Sequence, residues 1–134
     1  RNNFYQGNAS GSIAFKNIND PENSTHVSEG RPFIHGWGVQ LDFSGCTFGK
    51  INLANAWRDS TIRFRDSSLR GSSIWTGETS VSFEKCTFSG DTTLDVNGKV
   101  ELINCTAPSG VLKGHQTELN VKGGNVVMNQ DTSS

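Results

Sequence analysis

Leu41-Asp-Phe-Ser-Gly-Cys-Thr-Phe48, Ile62-Arg-Phe-Arg-Asp-Ser-Ser-Leu69, Val81-Ser-Phe-Glu-Lys-Cys-Thr-Phe88 and Val100-Glu-Leu-Ile-Asn-Cys-Thr-Ala107 are variants of one line. Their first residues stand 21, 19 and 19 positions apart, and a weaker fifth line opens 19 further on at Leu119-Asn-Val121. A unit of about twenty residues cannot bury a core alone, so a repeat this short is one winding of a coil stacked on its neighbours. Within each line apolar and polar residues alternate, the period of a strand with one face inside. The pattern predicts an all-β chain: a single right-handed parallel β-helix, or solenoid, of about five to six turns.

The columns of this alignment say which side chains point inward. Phe43, Phe64, Phe83, Leu102 and Val121 form one apolar stack; Phe48, Leu69, Phe88, Ala107 and Val126 form a second. Between them runs a column of small residues, Cys46, Ser67, Cys86, Cys105 and a glycine near Gly124, as a tight corner of a narrow coil requires. The outward positions are polar. Neighbouring coils about 4.8 Å apart would set Arg65 beside Glu84 and Asp66 beside Lys85, so charge alternates down the ladder.

The third side is less regular: Ile51-Asn-Leu53, Ser73-Ile74, Thr93-Leu-Asp-Val96, Val111-Leu112 and Val127-Met128. Glycines mark the joins at Gly49, Gly71, Gly90, Gly98, Gly110 and Gly114, where a positive φ or a close bend is expected. Ser12-Ile-Ala-Phe-Lys-Asn-Ile18 supplies an earlier turn. The Asp20-Pro21-Glu22-Asn23 signal then suggests a long loop inserted over residues 19 to 40. The expected organisation is one domain over 1–134: an N-terminal turn and inserted loop (1–40), regular coils (41–128) and a disordered tail (129–134).

Twelve basic against 13 acidic residues leave a net charge of −1, so no global field draws nucleic acid or an acidic substrate, and no nucleic-acid partner is expected. No apolar run approaches the roughly 18 residues of a membrane span, so no membrane insertion is expected. The opening Arg1-Asn2-Asn3 without Met reads as a processed product or an excised piece. The address stays open, with a secreted or injected location favoured.

Three cysteines match neither a zinc motif nor a disulfide scaffold. All three fall in the small inward column, where a thiol acts as a small hydrophobe. Cys86 and Cys105 lie on adjacent turns, close enough for a disulfide, and the sequence does not decide whether they are bonded.

Nothing converges as a catalytic centre. His26, His35 and His115 have no metal-binding spacing, and no metal, cofactor or catalytic residue is expected. Asp42, Arg63, Arg65, Asp66, Lys85 and Glu101 supply the residue types a polysaccharide lyase or hydrolase would need, but as surface ladders rather than as a pair facing one cleft. Asn8-Ala-Ser10, Asn23-Ser-Thr25 and Asn104-Cys-Thr106 fit the glycosylation acceptor pattern, which chance supplies in a chain this rich in Asn, Ser and Thr. The tryptophans say more. Trp57 and Trp75 fall outside the inward columns, and Trp37 sits in Phe33-Ile-His-Gly-Trp-Gly38 with His35. If exposed on successive turns, Trp57 and Trp75 form a rigid platform for a protein or a sugar ring. Trp37, Trp57, Trp75, His35 and Arg65 are the candidate binding residues.

In Cys46-Thr-Phe-Gly-Lys50, Ser67-Ser-Leu-Arg-Gly71 and Cys86-Thr-Phe-Ser-Gly90 the sequence resembles the pentapeptide-repeat proteins. Each five in that family centres on Leu or Phe with a small residue two positions earlier, and the match covers roughly residues 41–110. The resemblance implies a square right-handed β-helix and, in function, gyrase-binding DNA mimics or targeting domains of bacterial effectors. The mimics are strongly acidic, and this chain is not. Turns of 19 residues and Arg58 at an apolar position depart from the strict five, and the chain is also similar to the looser three-sided β-helices of pectate lyases, tail-spikes and adhesins. The expectation is a non-enzymatic binding or targeting module, with protein ahead of glycan as partner. A polysaccharide-active enzyme fragment and a self-associating spacer stand as alternatives, and the oligomeric state is open.

Overall fold

In the computed structural model, residues 2–6, 10–29, 38–54 and 59–129 are described. They form a parallel β-solenoid of about 5 turns, with no helix among them. Every strand pairing is parallel, and most neighbours are two or three elements apart in sequence. Three ladders run the length of the solenoid. The first face stacks β2 (Ser10–Lys16), β4 (Gly38–Ser44), β6 (Ser60–Arg65), β9 (Thr79–Glu84), the second half of β11 (Thr92–Ile103) and β13 (Gln116–Lys122). The second carries the start of β5 (Thr47–Ala54), β7 (Ser68–Arg70), β10 (Thr87–Ser89) and the starts of β12 (Thr106–Lys113) and β14 (Asn125–Asn129). The third carries β1 (Asn2–Gln6), most of β3 (Asn19–Glu29), the end of β5, β8 (Ser73–Thr76), the first half of β11 and the ends of β12 and β14.

The inward columns of the first two faces are buried as far as Leu102 and Ala107, while their last expected members, Val121 and Val126, are exposed and half-buried. Phe15, Phe43, Phe64 and Phe83 are stacked rings, 4.6, 4.5 and 5.0 Å between successive centroids and within 10° of parallel. Leu102 continues them in register. Phe48 and Phe88 from the second face meet Phe43 and Phe83 edge-on at 5.8 and 5.0 Å, which interlocks the two stacks across the corner. Phe48, Leu69 and Phe88 are in register and buried, as is Ala107.

The corner between these faces is built by backbone conformation as much as by size. Asn17, Gly45, Asp66, Lys85, Asn104 and Gly123 all hold φ between 51° and 67°, the left-handed region that Gly, Asn and Asp enter most readily. Each but Gly123 donates its N–H to a carbonyl of the next coil at 2.8–3.0 Å, so the bend closes without orphaning a donor. Lys85 is the misfit of this column, since a long side chain gains nothing from φ 53°. Lys85→Asn is expected to raise stability by about 0.5–1 kcal/mol, part of the left-handed penalty for ordinary residues, seen as a rise of a few degrees in thermal midpoint. An unchanged or lower midpoint would show that the lysine is at ease there.

One position on, the buried thiols of Cys46, Cys86 and Cys105 donate to the carbonyls of Phe15, Phe64 and Phe83 one coil back, at 3.4, 3.4 and 3.3 Å. Ser67 fills the same column, donating to the Arg65 carbonyl at 2.9 Å and accepting from the Cys46 N–H at 3.2 Å. All three cysteines are free thiols, Cys86 and Cys105 included. Hydrogen bonding with the Cys105 sulfur, and after it burial, push the Cys86 thiol above its ordinary range. The same contact draws the Cys105 thiol down to about 7, but at 0% exposure it is out of reach of a substrate, so the column serves packing.

The inserted loop expected from residue 19 is corrected over its first half. Residues 19–29 are strand β3, paired to β5 on both sides of a register shift between Asp20 and Ser24. Pro21, Glu22 and Asn23 bulge out of the ladder there, so a turn signal interrupts pairing without ending the strand. Gly49 explains the tolerance, because a Cβ there would lie 2.2 Å from the Pro21 carbonyl oxygen. At its other end residues 38–40 open β4, in register with Ser10–Ser12, and are strand rather than loop; residues 30–37 lie outside the described residues. Asn129, expected to open a disordered tail, instead closes β14 in register with Lys113; residues 130–134 lie outside the described residues.

Candidate binding face

Among the described residues, the third face presents the one large aromatic that is exposed in the body of the solenoid. Strand β8 alternates outward and inward, placing Ile74 and Thr76 in the interior and Ser73 and Trp75 outside. Trp75 is 62% exposed. Its period-2 position dictates this, because Ile74 fills the inward slot between Leu53 and Leu94 and leaves the indole no way in.

Register supplies the company. Asp95 lies directly beside Trp75 on the next coil and accepts from the His115 N–H at 3.1 Å, one coil further. A parallel row two residues back consists of His26, Asn52, Ser73, Thr93 and Lys113, each in register with the next. Asn52 and the His26 ring lie within hydrogen-bond reach at 3.2 Å. An indole plate on a rigid sheet, bordered by two rows of hydrogen-bonding side chains, can cover the apolar face of a ligand while its polar groups are met at the rim.

The other candidate residues are not gathered here. Arg65 is exposed on the first face, two corners away, in register with Ser44 and Glu84. Trp37, Trp57 and His35 lie outside the described residues. Sequence reasoning missed Asp95, Asn52, Thr93 and Lys113 as neighbours of Trp75. The signal was the repeat itself, once the third face is aligned as strictly as the first.

The residues weighed for polysaccharide chemistry stand as a ladder: Asp42 beside Arg63, Arg63 beside Ser82, Ser82 beside Glu101. A depression of about 220 Å³ lies among them, lined by Thr61, Arg63, Ser80, Ser82, Lys99 and Glu101. Lys99 approaches Glu101 at 3.1 Å and Glu118 at 4.0 Å, and Lys122 approaches Glu101 at 3.8 Å. The hydrogen bond from Lys99 holds the Glu101 carboxyl below the usual carboxylate range, opposite to the upward shift that makes a general acid. A second groove of about 550 Å³ crosses the coils at Asp59, Glu78, Asn97 and Thr117, over a floor of Ser60, Thr79 and Gly98. Among the described residues no group of three or more His, Cys, Asp or Glu is placed to hold a metal ion.

No family model, no curated protein and no solved structure matches the chain.

Proposed function

We propose that this chain is a non-enzymatic binding module, a rigid solenoid that presents the Trp75 face to a macromolecular partner, with protein ahead of glycan. The observation behind it is Trp75 itself, 62% exposed in mid-solenoid. Among the described residues the other large apolar side chains that stand in water are Phe4, Val121 and Val127, in the first and last described coils. Trp is the residue type most enriched at the energetic centre of protein interfaces, and a plate fixed to a sheet loses little freedom on binding. The three ladders support the looser three-sided β-helix resemblance over the square pentapeptide coil. In that setting the module belongs to a larger bacterial or phage effector, adhesin or tail protein.

The test is a pair of arrays, one of proteins and one of glycans, probed with the labelled chain and with Trp75→Ala. Because the indole is exposed, the substitution is expected to shift stability by no more than about 0.5 kcal/mol. Partners retained by the parent are expected to bind Trp75→Ala at least about thirtyfold more weakly, the loss of an interface hot spot. Glu84→Gln, on the first face, should leave the same partners untouched. Equal retention of every partner by Trp75→Ala and the parent would remove this face from the proposal.

A further inference from the structure

Where the third face turns into the first, the coils leave a trough. The groove at Asp59, Glu78, Asn97 and Thr117 and the depression beside Arg63 have Thr61, Ser80 and Lys99 in common, so they form one continuous hollow. Its cause is side-chain size. Thr61 and Ser80 lie in register on successive coils, Ser82 follows two positions on, and Gly98 has no side chain at all. Longer residues border them, with Asp59, Glu78 and Asn97 on the side of the corner and Arg63 and Glu101 on the side of the face. From Asp59 to Thr117 the groove crosses the coils of β6, β9, β11 and β13, about 14 Å at the ordinary strand spacing. Its larger part holds about 550 Å³, inside the range of ligand sites.

The walls select the occupant. They offer hydroxyls, a carboxamide, carboxylates and a guanidinium, while the apolar side chain beneath them, Val81, is 1% exposed. Among the described residues no ion pair or side-chain hydrogen bond engages Asp59, Glu78 or Arg63. Buried Thr79, in the floor, has a hydroxyl without a partner. An apolar ligand or an amphipathic helix needs apolar walls. An extended peptide pairs with a free strand edge, whereas this groove runs across strands already hydrogen-bonded in their ladder. Polyanions need a surplus of Lys and Arg, but Asp59, Glu78 and Glu101 outnumber Arg63 and Lys99. An uncharged chain rich in hydroxyls fits, because each hydroxyl can donate to a carboxylate and accept from a guanidinium or carboxamide. Successive coils repeat the same kind of group at Asp59, Glu78 and Asn97, so a chain of like units meets a like partner at each coil.

We propose that this groove, from Asp59 to Thr117, is a binding site for a neutral oligosaccharide laid along the solenoid axis. It stands independently of the Trp75 face.

An array of neutral oligosaccharides of increasing length, printed beside sulfated and uronic-acid oligosaccharides and charged peptides, tests it with the labelled 134-residue chain. Retention of neutral members that strengthens with chain length is expected. Asp59→Ala and Glu78→Ala should each weaken it at least about tenfold, the loss of a hydrogen bond to a charged group. Glu78→Gln keeps an acceptor without the charge and should stay within about threefold of the parent. Ser80→Leu fills the hollow from an exposed position and should abolish retention, with circular dichroism confirming that the strands persist. Arg70→Ala, on the second face, should bind as the parent does. A chain that retains no neutral saccharide overturns the proposal, as does retention confined to charged saccharides or peptides. Saccharide binding lost in Trp75→Ala but kept in Ser80→Leu belongs to the Trp75 face and overturns it too.

Discussion

Phe64→Ala is expected to lower the stability of the chain by about 3–5 kcal/mol, the range for removing a fully buried ring. The ring is 0% exposed at the centre of the stack, with Phe43 at 4.5 Å on one side and Phe83 at 5.0 Å on the other. Alanine opens a void the neighbours cannot close, because Phe43 and Phe83 are each pinned from the second face by Phe48 and Phe88. Both ring contacts are lost with it, each worth about 0.5–1.5 kcal/mol beyond area burial. A solenoid makes such a break worse, since every coil is held only by its two neighbours and the gap separates coils before it from coils after it. Domains commonly hold about 5–15 kcal/mol in total, so the variant should unfold at far lower guanidinium concentration or fail to accumulate. Phe64→Leu keeps most of the volume and should cost about 1–3 kcal/mol, ring contacts included. A loss from Phe64→Ala below about 1 kcal/mol, the range of surface changes, would mean that the ring is not in a packed interior.

That spine was legible because its signal is redundant: an aromatic at the same place in successive lines, with alternation on either side. The corner was only half legible. Small residues at Cys46, Cys86 and Cys105 show in the alignment, but the left-handed backbone at Asp66, Lys85 and Asn104 does not. An outward polar residue looks the same in sequence whatever its φ. Strand β3 was hidden by Pro21, whose local turn preference outweighed a pairing that depends on β5, some 25 residues later. Trp75 was legible as an outward residue, because the inward columns had no room for it. Its neighbours were not. Asp95 and Thr93 come from the next coil and Asn52 from the one before, and only register brings them alongside. Trp57, with the same signal as Trp75, and Trp37 and His35, marked by their glycine-flanked stretch, lie outside the described residues.

Gly98→Ala is expected to be the second most damaging change, although it adds one methyl group at a partly buried position. A Cβ at Gly98 would lie 2.0 Å from the Thr79 carbonyl oxygen, 3.0 Å from its carbon and 3.2 Å from its nitrogen. All three are backbone atoms of the neighbouring coil, so no side-chain rotation relieves the contact. The coils themselves must part, between β9 and β11, where Val81 and Phe83 pair with Val100 and Leu102. Overpacking of this kind typically costs about 1–3 kcal/mol and more when the backbone must give, which places Gly98→Ala at or above the upper end. Glycine is required here by proximity rather than by conformation, since φ at Gly98 is not positive. Gly38→Ala is the matching control. That glycine also lies in a strand without a positive φ, but nothing stands within 4 Å of the added methyl. Removing its freedom in the unfolded chain should leave stability unchanged or raise it by about 0.4–1 kcal/mol. Guanidinium unfolding of the two variants side by side therefore separates coil-to-coil contact from the general effect of replacing glycine. If both variants unfold at the parent's midpoint, the coils do not approach as closely at Thr79 as the stacking of parallel strands requires.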